Sequence, residues 1–199
     1  MSLRFPEDEA VLPWLSMLLD AYDITNENVR TVMEKDIQSG LSVACSSGCG
    51  MCCSCEPIPL TSLELSGIIW FIRRKMYLGP RQRIEESIKR FSGKVGCPML
   101  IDEKCSIYPM RPIACRHFNV YERTCEPGEE VMDTRPEHVL KPDHDKAQAA
   151  YRAMLPYYGI TDPKLQEAAL QQNYLFKNCS VFMHMVDWDA LLVHFTVAD

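Results

Sequence analysis

Four of the ten cysteines fall within nine residues, at Cys45, Cys49, Cys52 and Cys53, among serines and glycines rather than along an apolar stripe. A buried free cysteine ordinarily behaves as a small hydrophobe, but packing supplies no reason for four thiols in so short and polar a run. If the segment is helical, the spacing i, i+4, i+7 and i+8 puts all four sulfurs on one side. If it is a loop, Gly48 and Gly50 let the backbone take positive φ and wrap the thiols around a centre. The sulfurs converge in either case. Soft thiolates donate strongly to Zn²⁺ or iron, and that bond offsets the entropy of ordering chain that has no secondary structure of its own.

A second stretch carries Cys97, Cys105 and Cys115. Together the two gather seven thiolates, more than one four-coordinate ion can use, so two metals or a cluster with spare cysteines are required. Arg111 and Arg116 flank Cys115. A guanidinium there offsets the negative charge of a thiolate site and donates hydrogen bonds to sulfur, which makes both candidate cofactor-binding side chains. Cys55, Cys125 and His117 lie near the two stretches and stay open as ligands, with a hydrogen-bonded structural role favoured for His117. Cys179 is isolated and reads as core. The remaining histidines, His138, His144, His184 and His194, show no regular ligand spacing.

Other cysteine chemistries fit less well. Cysteine makes up about 5% of the chain, below the 8–10% of a secreted disulfide scaffold, and the adjacent pair Cys52 and Cys53 would each need a distant disulfide partner. The N-terminus lacks a basic flank followed by an apolar run, so a cytoplasmic location is expected, where thiols serve metals or redox chemistry. The Cys45-x3-Cys49-x2-Cys52 spacing also occurs in radical S-adenosylmethionine enzymes, but those need a βα barrel that the following helical, proline-broken sequence does not offer. The C-x-x-C pairs Cys49/Cys52 and Cys52/Cys55 lack the βαβ setting of a thiol oxidoreductase. No catalytic residue is identifiable, and whether the chain is an enzyme stays open. With 21 Lys and Arg against 27 Asp and Glu, the net charge of −6 gives no footprint for nucleic acid. No apolar run approaches the ~20 residues of a membrane span. Metal ions are the partners expected, and no protein partner can be named.

Periodicity predicts a mainly α fold, a single domain over residues 1–199 with an irregular cysteine-rich region at about 45–125 and a helical C-terminal region. A helix is expected over Glu7 to Asp23 and a second, capped by Thr25, to about Ser39. Thr61 to Glu64 resemble a capping box opening a helix to Arg74–Tyr77. Gly79-Pro80 then punctuates before a helix to about Phe91. A short helix is expected near Arg111 to Phe118, loop from Pro127 to Pro142, and helices over Asp143 to Tyr157 and Asp162 to Phe176. Ser180 to Val197 is helix or strand.

The pattern Cys45-x3-Cys49-x2-Cys52-Cys53, then Cys97-Pro98 with Leu100, then Cys105-x-Ile107-Tyr108-x2-Arg111-Pro112-x2-Cys115-Arg116 resembles the bacterial cysteine-cluster proteins described as zinc- or iron-chelating, often called YkgJ-like. It covers roughly Cys45 to Phe118. The resemblance implies a metal or iron–sulfur site on Cys45, Cys49, Cys52, Cys53, Cys97, Cys105 and Cys115, and no particular reaction. Zinc in thiolate sites with a structural or regulatory role is the first reading. An iron–sulfur cluster serving electron transfer or redox catalysis is the alternative.

Overall fold

The structure, a computed structural model, describes residues 3–46, 48–55, 57–91, 93 and 96–196. Helices dominate, as expected. Pro6–Val11 (α1) leads into Pro13–Gln38 (α2), a helix of 26 residues, about 39 Å long at 1.5 Å per residue. Pro13 at its first turn breaks the chain from α1, so the helix expected over Glu7 to Asp23 is divided there. Thr25 does not cap a second helix. It is buried inside α2, where its hydroxyl donates to Ala21 O at 2.8 Å, and the buried stripe of Leu15, Leu18 and Tyr22 runs on through Thr25 to Asn28.

After α2 the next elements are Cys52–Cys55 (α3) and then Pro59–Thr61 (β1). Ser62–Arg74 (α4) opens on the expected capping box: Thr61 Oγ1 accepts from Glu64 N, and the Glu64 carboxylate accepts from Thr61 N at 2.7 Å. Leu78–Arg90 (α5) includes Gly79 and Pro80 in its first turn, where a proline's missing N–H leaves no bond unmade. They therefore begin the helix rather than precede it.

Leu100–Ile101 (β2) and Lys104–Cys105 (β3) form a hairpin, and Ile113–His117 (α6) is the short helix expected near Arg111. Val131–Thr134 (α7) interrupts what the sequence suggests is loop. His144–Met154 (α8) begins at Asp143, which accepts from Lys146 N at 3.0 Å. The helix expected over Asp162 to Phe176 is Pro163–Gln171 (α9) and Tyr174–Asn178 (α10), split at Asn173 in left-handed backbone. The C-terminal segment holds both a strand and a helix, Ser180–Phe182 (β4) and Trp188–Thr196 (α11). No described helix is long and apolar enough to cross a membrane.

Two cores flank α4. Leu63 and Trp70 face Leu15, Leu18 and Leu19 of α2 together with Ala150 and Met154 of α8. Ile68 and Ile72 face Ile84 and Ile88 of α5, with Trp188 and Phe195 of α11 and Met99. Gly67 allows this sharing: a Cβ there would lie 2.2 Å from Leu18 Cδ2. β4 pairs antiparallel with β1, Pro59 opposite Phe182, so the C-terminal segment is tied to the chain just beyond α3. A third, small cluster of Val120, Val131 and Val139 packs against Cys45, Cys125 and Phe118.

Candidate metal centre

The first cysteine stretch is laid against residues 120–122. Val43 bridges Tyr121, and Ala44 N donates to Val120 O and Glu122 N to Ser42 O, both at 2.8 Å. This brings Cys45 beneath the Val120 amide, which donates to its Sγ at 3.3 Å. The chain then turns with Cys49 N on Ser46 O at 3.1 Å and Gly48 at φ +88°. Of the described residues in this stretch only the α3 part is helical, so 45–46 and 48–51 follow the loop alternative rather than the helical one.

The β2–β3 hairpin carries Cys105, paired with Leu100. Asp102 and Glu103 form its two-residue turn, both at positive φ, the backbone that such a turn demands and that glycine and asparagine usually supply. Gly50 is buried against this turn: a Cβ would stand 2.4 Å from Glu103 O and 2.5 Å from Leu100 Cδ1. The two cysteine stretches meet at a point where only hydrogen fits. Gly96 differs: it lies near Cys53 O with ordinary space for a Cβ, 3.4 Å, and what it supplies is its φ of +97°.

The thiols gather around this junction. Cys53 is buried, with Cys52, Cys97 and Cys105 as its sulfur neighbours. Contact with Cys52 favours its thiolate, but contact with Cys97 and burial outweigh that and push it up to about 12. Cys52 is pushed up by its contact with Cys53 and then by burial. Burial, followed by the neighbouring Cys53, Cys52 and Cys105, raises Cys115 well above the usual thiol range. Burial raises Cys105, with the Arg111 charge opposing it. On the other side, burial raises Cys45, partly offset by the Val120 N–H, with Cys49 and Cys52 as its sulfur neighbours. Cys125 is pushed up to about 11 by burial and then by Cys45. Thiols so placed carry their protons at neutral pH, and a metal must displace them.

Among the described residues no three His, Cys, Asp or Glu side chains stand together at coordinating spacing. The neighbourhood nevertheless fits a metal in its donor chemistry. Nine of the described cysteines are free, and they are soft donors of the type that zinc and iron share. Arg111 stacks on Tyr108 with its guanidinium carbon 4.1 Å from the ring centroid. Its Nε is buried without a hydrogen-bond partner, and its charge acts on both Cys45 and Cys105. Arg116 spends its donors elsewhere, on Arg111 O at 2.9 Å, Asn26 Oδ1 at 2.9 Å and Pro109 O at 2.7 Å. It lies over the Tyr22 ring at 3.8 Å. Its hydrogen bonds thus fix the loop that carries Arg111 rather than reaching a sulfur.

The side chain of Cys55 lies outside the described residues. His117 differs from the hydrogen-bonded residue expected of it: its Nε2 is buried without a partner, and burial lowers its pKa to about 4, which keeps the ring neutral. Cys179 packs against the first core, as an isolated cysteine should. An apolar cavity of about 120 Å³, walled by Ile58, Pro59, Phe118 and Met132, opens onto Cys52 and Cys115. Sequence reasoning missed the tie made by Arg135, which donates to the carbonyls of Tyr121, Arg123 and Thr124. Nothing in the sequence marks Arg135 apart from other loop arginines; its burial shows only in the fold.

No curated protein and no solved structure matches the chain significantly. The model of one family does match, over residues 44–148, just over half of the chain; its description is "Putative zinc- or iron-chelating domain" and its name, CxxCxxCC, gives a cysteine spacing from which the chain departs by one residue, with three residues between Cys45 and Cys49. The match begins one residue before Cys45 and takes in both cysteine stretches, Cys125 and the start of α8, and the chain accordingly belongs to the CxxCxxCC family of zinc- or iron-chelating domains.

Proposed function

We propose that the protein holds zinc in closed thiolate sites and serves a structural or regulatory role through them. The observation that carries this reading is the neighbourhood of free thiols from three separate segments, with Cys52 and Cys53 near Cys97, Cys105 and Cys115, in described backbone that has little regular structure to hold it. Cys45, Cys49, Cys52, Cys53, Cys97, Cys105 and Cys115 would be the ligands, Arg111 would balance their charge, and Arg116 would position Arg111. Zinc is d¹⁰ and redox-silent, so what it supplies when bound is a crosslink between segments. A cytoplasmic location accompanies the proposal, since unpaired thiols persist where the milieu is reducing.

Purification without oxygen, followed by elemental analysis and visible spectroscopy, tests it. A colourless preparation with stoichiometric zinc is expected. A brown preparation with a reducible spectrum would replace the reading with an iron–sulfur protein of electron transfer or redox catalysis. Protein free of any thiolate-bound metal would defeat both.

A further inference from the structure

We infer that Glu64, a buried carboxylate on α4 that lies outside the cysteine pattern, is the positioning residue for Cys115: it anchors the start of α6 and so sets where that thiol stands. The inference rests on the reading of Cys115 as a metal ligand and deepens it by naming what holds the ligand's helix.

The two carboxylate oxygens divide their partners. Oε2 closes the capping box of α4, accepting from Thr61 N at 2.7 Å and from Thr61 Oγ1 at 2.9 Å. Oε1 turns to another segment and accepts from Ile113 N at 2.7 Å, 49 residues along the chain. Ile113 is the first residue of α6, and Pro112 before it offers no side-chain cap. A helix start leaves its first amides without partners inside the helix, and here a carboxylate carried by α4 supplies one. Glu64 is only 3% exposed, so bulk water does not stand in for it.

The choice of residue points past the capping box. Glutamine closes such a box as well as glutamate does, and burying a carboxylate is costly unless its oxygens are hydrogen-bonded. What glutamate adds is a second acceptor oxygen, and that oxygen goes to α6. The helix has five residues, too few to be stable alone, so its place depends on such ties. Ile113 packs in the first core and Cys115 against the second. The Arg116 guanidinium secures the residue after Cys115, and Glu64 secures the start before it. Cys115 follows Ile113 by two residues, about 3 Å along the axis at 1.5 Å per residue. Metal–ligand distances are held to within about 0.2 Å, so a small slip of α6 takes the thiol out of range.

The test compares wild type, Glu64→Gln and Thr61→Val as reduced, metal-free, full-length chains. Each is titrated anaerobically with Co²⁺ and followed by visible absorption, and alkylation of each cysteine before loading is read by mass spectrometry. Glutamine keeps one acceptor for the capping box and turns its amide N–H₂ toward the Ile113 amide. Glu64→Gln should therefore bind Co²⁺ about 10-fold more weakly, and its Cys115 should alkylate faster relative to Cys179 than in the wild type. Thr61→Val weakens the box and leaves Ile113 its acceptor, so it should melt lower with Co²⁺ affinity unchanged. In the metal-free wild type the Ile113 amide should be protected from hydrogen exchange, which decides the anchor should Glu64→Gln not fold. The inference falls if that amide exchanges as an exposed one does. It also falls if Glu64→Gln binds Co²⁺ as tightly as the wild type, if its Cys115 is no more reactive relative to Cys179, or if Thr61→Val loses as much affinity. A wild-type chain that binds no Co²⁺ would remove the metal-binding reading instead, while exchange and alkylation still decide whether Glu64 anchors α6.

Discussion

Gly50→Ala adds one methyl at the junction of the two cysteine stretches, where it would lie 2.4 Å from Glu103 O and 2.5 Å from Leu100 Cδ1, against ordinary contacts of about 3.5–4.0 Å. Two effects oppose each other. Gly50 is not among the glycines at positive φ, so alanine suits its backbone and would by itself stabilise by about 0.4–1 kcal/mol through the unfolded chain. Overpacking a filled site costs about 1–3 kcal/mol. The obstructing oxygen belongs to the backbone of a two-residue turn, which no rotamer change relieves, so the upper part of that range applies and the net loss is about 1–2 kcal/mol. For a chain of this size that lowers Tm by about 2–8 °C. Thermal unfolding of metal-free, reduced protein followed by circular dichroism measures it. Gly48 gives the contrast: it needs an angle, φ +88°, and has ordinary space, with Lys104 Cε 3.5 Å from a built Cβ. Asparagine, which tolerates left-handed backbone, should therefore be milder than alanine at Gly48 and harsher at Gly50. A Gly50→Ala protein melting at or above the wild-type temperature would refute the reasoning.

Metal should raise the melting temperature with concentration. Free Zn²⁺ at 100 times its Kd contributes about 2.7 kcal/mol, or about 5–11 °C, reversed by a chelator; a Tm indifferent to zinc would contradict a folded-state site. The Glu129 carboxylate is held down to about 2 by the Arg135 guanidinium, then by the Glu126 N–H, against an ordinary 4.5. Its contribution is complete above about pH 4.5 and is lost as pH falls toward 2, so Glu129→Gln should flatten the acid limb of a stability–pH curve over that window, and an unchanged limb would count against the ion pair. Arg116→Lys cannot span Arg111 O, Pro109 O and Asn26 at once. It should cost about 3 kcal/mol, read as a fall of about 6–12 °C in Tm, and a fall of under 2 °C would show those bonds to be incidental.

The local rules were legible where both partners are near in sequence. Thr61 and Glu64 stand three residues apart and form the capping box their order suggests, whereas the cysteine spacing from Cys45 left helix and loop equally open. What escaped depends on distant partners. Thr25 has the chemistry of an N-cap, yet α2 continues because Asn28, one turn on, exchanges two hydrogen bonds with the backbone of Asp143, a partner that periodicity cannot see. β1 and β4 pair across about 120 residues, which is why Ser180 to Val197 gave no single answer. Arg116 has the right neighbours in sequence to serve a sulfur, but the carbonyls of its own loop lie closer. Asp102-Glu103 lacks the glycine or asparagine that marks a tight hairpin, so that turn was invisible too.

The tie between β1 and β4 has a consequence for the order of synthesis. Cys115 leaves the ribosome about 80 residues ahead of Phe195, and at about 5–20 residues per second the thiols wait about 4–16 s for the strand and helix that close the core behind them. During that interval the nascent chain presents its sulfurs without their final enclosure. A nascent chain that lacks β4 and α11 should therefore leave Cys97, Cys105 and Cys115 more open to thiol reagents than the finished fold does.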